Sequence, residues 1–411
     1  MQPSREILKG WAFILILLLA TSSIGTNAMA DDAVVLPKGL TRMYVDTHFF
    51  IPFDKRFDTN GNAVPYGQPF SVNLNNSVFG ALPPGTSLGT TNVQFTRHVK
   101  EMQIQPAYGL TDRLTVGINI YYYWYENEIN AGINTQGANL GIAPNGQIAP
   151  RNIPGVRAAT IQDINNLLAR NFGLKPIQSW SQSGIGDIEV GGRYQYFRGE
   201  NFRAAFTGGA RFPTGQAEDP DNPMFSRFGN GTYALLAQFQ QDWMNQRDGL
   251  GKRLGFPEPG DYFINTTFRY EYNLPDTRTL RVCPGGGITC NTKDDVHTKR
   301  GDVIEAEVSP KVGLFVPGLI LSATYKYGYK FVDHYSGDKG LDYGALNTQL
   351  DRTAASEQVA VATLTYSMIT LYQAKLIPLP LVAQVSYRNR FAGSGGFGES
   401  QYVGLTVQAF F

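Results

Sequence analysis

From Leu40 onward, apolar residues recur at every second position in one segment after another, the period of a half-buried β-strand. The clearest segment is Leu114–Trp124. Leu114, Val116, Ile118, Ile120, Tyr122 and Trp124 share one face, and Thr115, Gly117, Asn119, Tyr121 and Tyr123 share the other. The last, Gln401–Phe411, sets Val403, Leu405, Val407, Ala409 and Phe411 against Thr406 and Gln408, with Tyr402 and Phe410 breaking the pattern. Twelve segments are predicted as strands: Leu40–Pro52, Val93–Ala107, Leu114–Trp124, Gly184–Phe197, Phe202–Phe212, Thr232–Trp243, Tyr262–Tyr272, Val303–Val312, Leu319–Phe331, Glu357–Thr370, Leu381–Phe391 and Gln401–Phe411. The facing of the tenth is ambiguous.

The links between these strands alternate between long and short, the exception being Asn245–Gly260. Short inner turns, long outer loops and an even strand number describe an all-β fold: a single antiparallel transmembrane β-barrel of about twelve strands with long extracellular loops. A soluble sandwich shows the same period but gives no reason for the alternation of links. A chain that ends on an apolar strand also needs that strand paired on both edges, as barrel closure provides. Phe411 at its end is the expected signal for the barrel-assembly machinery, and outer-membrane lipid is the expected surround.

Residues 1–30 read as an export signal: Arg5 and Lys9, then the apolar run Trp11–Ala20, then Ala28-Met29-Ala30. Cleavage is expected between Ala30 and Asp31, leaving 31–411 as the barrel. No later stretch is long and apolar enough for a membrane helix. Mean hydropathy of −0.21 also excludes a helical membrane protein. The 22 Tyr, 25 Phe and 45 Gly suit aromatic girdles and a closely packed wall. A net charge of +1 offers nucleic acid no basic face.

Charge on the second face of each strand must point away from hydrocarbon, where one charge costs roughly 2–4 kcal/mol at the midplane. The expected lumen lining is therefore Arg42, Asp46, Asp187, Glu189, Arg193, Arg211, Arg269, Glu271, Glu305, Glu307, Lys326, Arg388 and Arg390, joined by Arg203, Lys311 and Lys330. Such a set makes either a salt-bridged packed interior or a polar channel that selects small-molecule solutes. Asp187, between small residues, is expected to anchor the loop before it through backbone N–H groups. The long loop Glu126–Ser183 carries a helical pattern over Thr160–Asn171. Its apolar residues Ile161, Ile164, Leu168 and Phe172 either pack on their own loop or form a gate in the barrel mouth.

Cys283 and Cys290 flank a glycine-rich turn, and an exported chain is expected to join them as a disulfide. A metal pair at this position lacks ligands beyond Asp294, Asp295 and His297, so no metal and no cofactor is expected. An outer-membrane phospholipase would need a Ser–His pair facing lipid. His48 faces inward, His297 and His334 fall in loops, and His98 has no serine and acid placed with it. No enzymatic activity is expected, and no catalytic residue is assigned. A structural or surface-interaction barrel with a closed lumen is the alternative to a channel.

Three pieces resemble an outer-membrane family known by the phrase "MetA-pathway of phenol degradation": Tyr108-Gly109-Leu110-Thr111-Asp112-Arg113-Leu114, Gly184-Ile185-Gly186-Asp187-Ile188-x-x-Gly191 and Phe212-Pro213-Thr214-Gly215. The order and placement of these pieces also match. The resemblance implies an outer-membrane transporter that passes small apolar or aromatic compounds by passive or gated diffusion in a Gram-negative bacterium. The Glu126–Ser183 insertion and the cysteine loop depart from that family's pattern.

Overall fold

The computed structural model describes residues 32–79, 82–216, 219–245, 256–257, 259–284, 289–348 and 353–411. The expected export signal with its Ala30–Asp31 cleavage point, the middle of the Asn245–Gly260 link and the turn between the cysteines lie outside the described residues.

Twelve antiparallel strands among the described residues close into one barrel: β1 (Thr41–Phe50), β2 (Ser87–Thr111), β3 (Leu114–Asn134), β4 (Ile188–Arg198), β5 (Phe202–Phe212), β6 (Ala234–Asn245), β7 (Tyr262–Asn273), β8 (Val303–Gly313), β9 (Leu319–Lys330), β10 (Ala355–Ser367), β11 (Leu381–Gly393) and β12 (Gln401–Phe410). Each pairs with its sequence neighbours, and β12 pairs back onto β1, with Val45 opposite Val407. The Phe411 amide donates to the Thr41 carbonyl (2.9 Å) and its carbonyl accepts from the Thr41 amide (3.0 Å), which completes the seam.

The apolar faces point outward. Val385, Leu405 and Val407 are each about half exposed, as lipid-facing residues of a barrel are. Exposed aromatics gather at the two rims of this belt. Trp124, Phe212, Tyr233, Tyr272, Phe331 and Phe391 lie toward the long loops, and Tyr108, Tyr194, Tyr196, Trp243 and Tyr262 toward the short turns. Two such girdles fix the depth of an outer-membrane β-barrel.

One boundary differs from expectation. Strands β2 and β3 run on for 25 and 21 residues, so Glu126–Asn134 is strand rather than loop. Along β2 the apolar phase changes sides. Met102, Ile104 and Leu110 face out, whereas Val93, Phe95 and Val99 are buried inside. On β3, Glu126 and Glu128 take the outer face beyond Trp124. Above the membrane, water rather than lipid lies outside, so the apolar residues turn inward. The facing of β10 is also settled. Glu357, Val359, Val361 and Thr363 are buried in the barrel and Leu364 is exposed.

The outer loops form a cap on the tall β2–β3 hairpin. Helix α1 (Ile161–Phe172) begins with a capping box, in which the Asp163 amide donates to the Thr160 hydroxyl and the Thr160 amide donates to the Asp163 carboxylate (2.9 Å). It ends on Gly173, which adopts φ +65° where a side chain would be strained. A second outer sheet, Asp276–Arg281, Lys293–Lys299 and His334–Ser336, carries His297 and His334, so both lie on strands rather than in loops. Next to it Cys283 and Cys290 form a disulfide, with Cα atoms 5.6 Å apart.

Candidate functional site: a lumen closed at both ends

The charged residues of the strands meet inside the barrel. Arg211 lies between Glu189 (2.7 Å) and Glu271. Arg269 approaches Glu189 at 3.2 Å, Glu271 at 3.7 Å and Glu305 at 3.9 Å. Lys326 bridges Glu305 (2.6 Å) to Glu357 (3.6 Å), and Glu357 meets Arg390 (2.7 Å) and Arg388 (3.7 Å). Signs thus alternate from β4 round to β11. On the opposite wall Asp46 accepts from Thr406 (2.8 Å) and lies 2.8 Å from Nε2 of His48, whose Nδ1 is 3.6 Å from Glu101. Arg42 donates to Gln105 (2.7 Å), and Glu307 is half-buried midway along β8. Glu357 and Glu101 were not among the residues read from sequence; Glu357 stands on the tenth strand, whose facing was ambiguous. Buried pairs of this kind are costly to break by halves, since the remaining charge is left unpaired.

The inner end is crossed by a strap, residues 32–39, that precedes β1. Its backbone is held by side chains of several strands. The Ala33 amide donates to both carboxylate oxygens of Asp242 (3.0 Å each), and the Leu36 amide donates to Thr115 (2.7 Å). Gln195 donates to the Ala33 carbonyl (2.7 Å) and Arg193 to the Asp32 carbonyl (2.8 Å). Ala33, Val35 and Leu36 are buried.

The outer end is filled by the loop between β5 and β6. Met224, Ser226 and Phe228 are almost wholly buried in the barrel mouth, as loop residues seldom are. Asp187 holds both feet of this loop. Its carboxylate accepts from the amides of Gly215 (3.1 Å), Asn230 (2.5 Å) and Gly231 (2.9 Å). Asp187 does anchor a loop through backbone N–H groups, but the loop is the one after β5. Thr214 reinforces the latch, accepting from the Ile188 amide (3.0 Å) and donating to the Gly186 carbonyl (2.8 Å).

The three motifs that carry the family resemblance are thereby explained. Two of them meet at the Asp187 latch, where a Cβ on Gly215 would fall 1.6 Å from the Phe228 carbonyl oxygen. The third seats the strap. The Gly39 amide donates to the Gly109 carbonyl (2.8 Å) and the Lys38 amide to Asp112 (3.1 Å).

Between strap and plug lies a cavity of about 180 Å³, bordered by Leu36, Arg42, Gln105, Asn119, Glu189 and Phe410 among others. One side of it is bare backbone. Ala107, Gly117, Gly191, Gly209 and Leu236 pair in a single row across β2 to β6, and the three glycines leave a hollow in the wall.

Of the two readings of α1, its apolar residues follow the one in which the helix packs among the loops. Ile164 and Leu168 are buried with Leu74, Phe79, Leu82 and Leu140 in the core of the cap, and Ile161 and Phe172 pack against the same cluster. Their side chains face the cap rather than the lumen, because helix and loop strands bury each other's apolar faces. The cap touches the plug through the Lys175 amide, which donates to the Asp221 carbonyl (2.8 Å), and through Lys175 and Asp219 (2.6 Å).

No family model and no curated protein matches the sequence. Among solved structures the chain is similar to the COG4313 outer membrane channel from Pseudomonas putida F1, with TM-score 0.50 and 11% identity over 93% of this chain and 99% of that one. It also aligns with the translocator domain of the autotransporter NalP from Neisseria meningitidis (TM-score 0.37, 9% identity, 95% and 92% covered). A third alignment is with the toluene transporter TodX from Pseudomonas putida (TM-score 0.36, 10% identity, 93% and 96% covered). At these identities the likeness is one of fold.

Proposed function

We propose that this outer-membrane barrel passes small, largely apolar solutes, each a single aromatic ring with a polar substituent, by gated diffusion. The observation that carries this reading is the central cavity beside the strap. Its volume of about 180 Å³ compares with the ~150 Å³ of an engineered apolar cavity that holds benzene. Its lining joins Leu36, Leu236 and Phe410 to Arg42, Gln105 and Asn119, a mixture that suits a ring carrying one polar group. Strap and plug keep the lumen from being an open water pore, so passage needs at least one of them to move. The gate is assigned to the β5–β6 loop, with α1 acting on it only through the cap. The lumen charges hold the wall together and orient the solute's polar group. The export signal up to Ala30 and the terminal Phe411 serve delivery to the outer membrane and recognition by its assembly machinery.

The test is uptake of a labelled monoaromatic compound into proteoliposomes, compared with an Ala107→Phe variant whose ring would occupy the cavity. Uptake by the native protein that falls several-fold in the variant, with the barrel still folded, supports the reading. Uptake equal in both, or no faster than in empty liposomes, removes it. The second reading, a structural barrel with a closed lumen, is favoured by the ion-pair network that crosses the interior, and a silent assay is its expected result.

A further inference from the structure

Three strands place three unpartnered donors in one row above the membrane belt. Arg97 on β2 is directly opposite Asn127 on β3, which is directly opposite Trp180 on the short strand Trp180–Ile185. Arg97 and Asn127 are wholly buried. Arg97 donates Nε to Asn127 Oδ1 (3.0 Å) and Nη2 to Ser226 (2.6 Å). Arg97 Nη1, Asn127 Nδ2 and Trp180 Nε1 are buried with no acceptor. Three orphaned donors side by side demand a reason, because buried N–H groups are almost always paired.

The surroundings sharpen the question. No carboxylate pairs with Arg97 among the described residues. Instead, three rings surround it: Tyr66 at 5.5 Å, Phe95 at 5.6 Å and Tyr125 at 5.6 Å. Burial without a counter-charge pulls its pKa below the usual arginine value. Beside it the Phe228 ring lies parallel to Tyr123 (centroids 6.1 Å, planes 4° apart) and to Tyr125 (5.3 Å, 5°). The loop therefore brings a flat ring and a hydroxyl oxygen, those of Phe228 and Ser226, to a slot lined by rings and N–H donors.

We propose that Arg97, Asn127 and Trp180 form an anion site in the outer mouth for a small aromatic acid, and that Ser226 and Phe228 of the plug occupy that site when no solute is bound. A carboxylate would take its two oxygens to the guanidinium and the neighbouring N–H groups. Its ring would enter the slot that Phe228 leaves. Binding then favours the displaced plug, which couples solute to gate. As a step in uptake this rests on the channel reading; as a binding site it stands without it.

The experiment measures binding, not transport. Sodium benzoate is titrated into the full mature chain in detergent micelles, by calorimetry and by Trp fluorescence. Phe228→Ala removes the internal competitor and is expected to raise benzoate affinity by about tenfold or more, because the competent state is no longer rare. Adding Asn127→Asp puts a carboxylate against the anion and is expected to abolish benzoate binding. Arg97→Gln is a second route should either variant fail to fold, read against heat-modifiable migration of the intact barrel. Benzoate binding that is absent in folded Phe228→Ala, or indifferent to Asn127→Asp and Arg97→Gln, overturns the site; the donors then serve water. Inorganic phosphate binding as well as benzoate overturns its aromatic specificity. Binding without proteoliposome uptake fails the channel reading alone, and uptake without binding fails this one alone.

Discussion

The two closures of the lumen are built on opposite principles. The inner strap has small apolar side chains, and its backbone is tied by Asp242, Gln195, Arg193 and Thr115, which stand on three different strands. The outer plug has large buried side chains, and its two feet converge on the single carboxylate of Asp187. Distributed hydrogen bonds give way one at a time, and the loss of any one changes little. A single carboxylate that serves three backbone amides behaves as a latch. The feet of the outer closure are therefore the more exposed to a single substitution.

The largest expected effect comes from breaking both. The closures lie in series, so deleting residues 32–37 or substituting Asp187→Ala alone should leave a planar bilayer nearly silent, whereas the combined variant should carry steady current. Equal current in all three would mean that the closures do not act in series. Next in size, Asp187→Ala leaves three amides, one buried and two part-buried, without their acceptor and should weaken the plug by roughly 2–4 kcal/mol. Hydrogen exchange at Gly215, Asn230 and Gly231 should quicken, while that at Ala33 and Leu36 should not. If the strap amides exchange faster too, the two closures are coupled and the contrast drawn above fails.

Smaller effects sharpen the comparison from the loops. Replacing Cys283 and Cys290 by serine removes a short closed loop, worth about 2–3 kcal/mol by chain entropy. It should lower the resistance of the outer sheet to proteolysis and leave both closures as they were. The smallest effect is one of acid. The Arg157 guanidinium, together with the Thr160 hydroxyl, holds the Asp163 carboxyl well below the usual carboxylate value. A depressed folded pKa means that this contribution to the cap is complete above about pH 4 and is lost as pH falls through the folded value. Helix α1 should thus loosen only in strong acid, and Asp163→Ala should reproduce that loosening at neutral pH at a cost of about 1 kcal/mol. Limited proteolysis between Thr160 and Gly173 reads both.

Most of the wall was legible in the residues. Strand β5 was placed to the residue, and Glu189, Arg269, Glu271, Glu305, Lys326 and Arg388 are buried, as lipid's intolerance of charge on the other face requires. The anion row was not legible. Asn127 and Trp180 fell in a stretch read as loop, although Ile129 and Ala131 alternate with Glu128 and Asn130 there. That alternation has the opposite sense from the membrane belt, and the reversal is the signal that was available. Which of the two readings of α1 holds was not legible either. An amphipathic helix announces that it buries one face, but not against what.

The sequence by itself determined the barrel. Period-two alternation, alternating link lengths and the hydrocarbon's intolerance of charge leave few other ways to bury these faces. Only the tertiary structure decided that the barrel is shut, because both closures are made by segments without a period of their own. Residues 32–39 and the β5–β6 loop are positioned by partners far away in sequence, Asp242 for one and Asp187 for the other. Hydrogen bonds from irregular backbone to distant side chains leave no repeating mark in the chain that makes them.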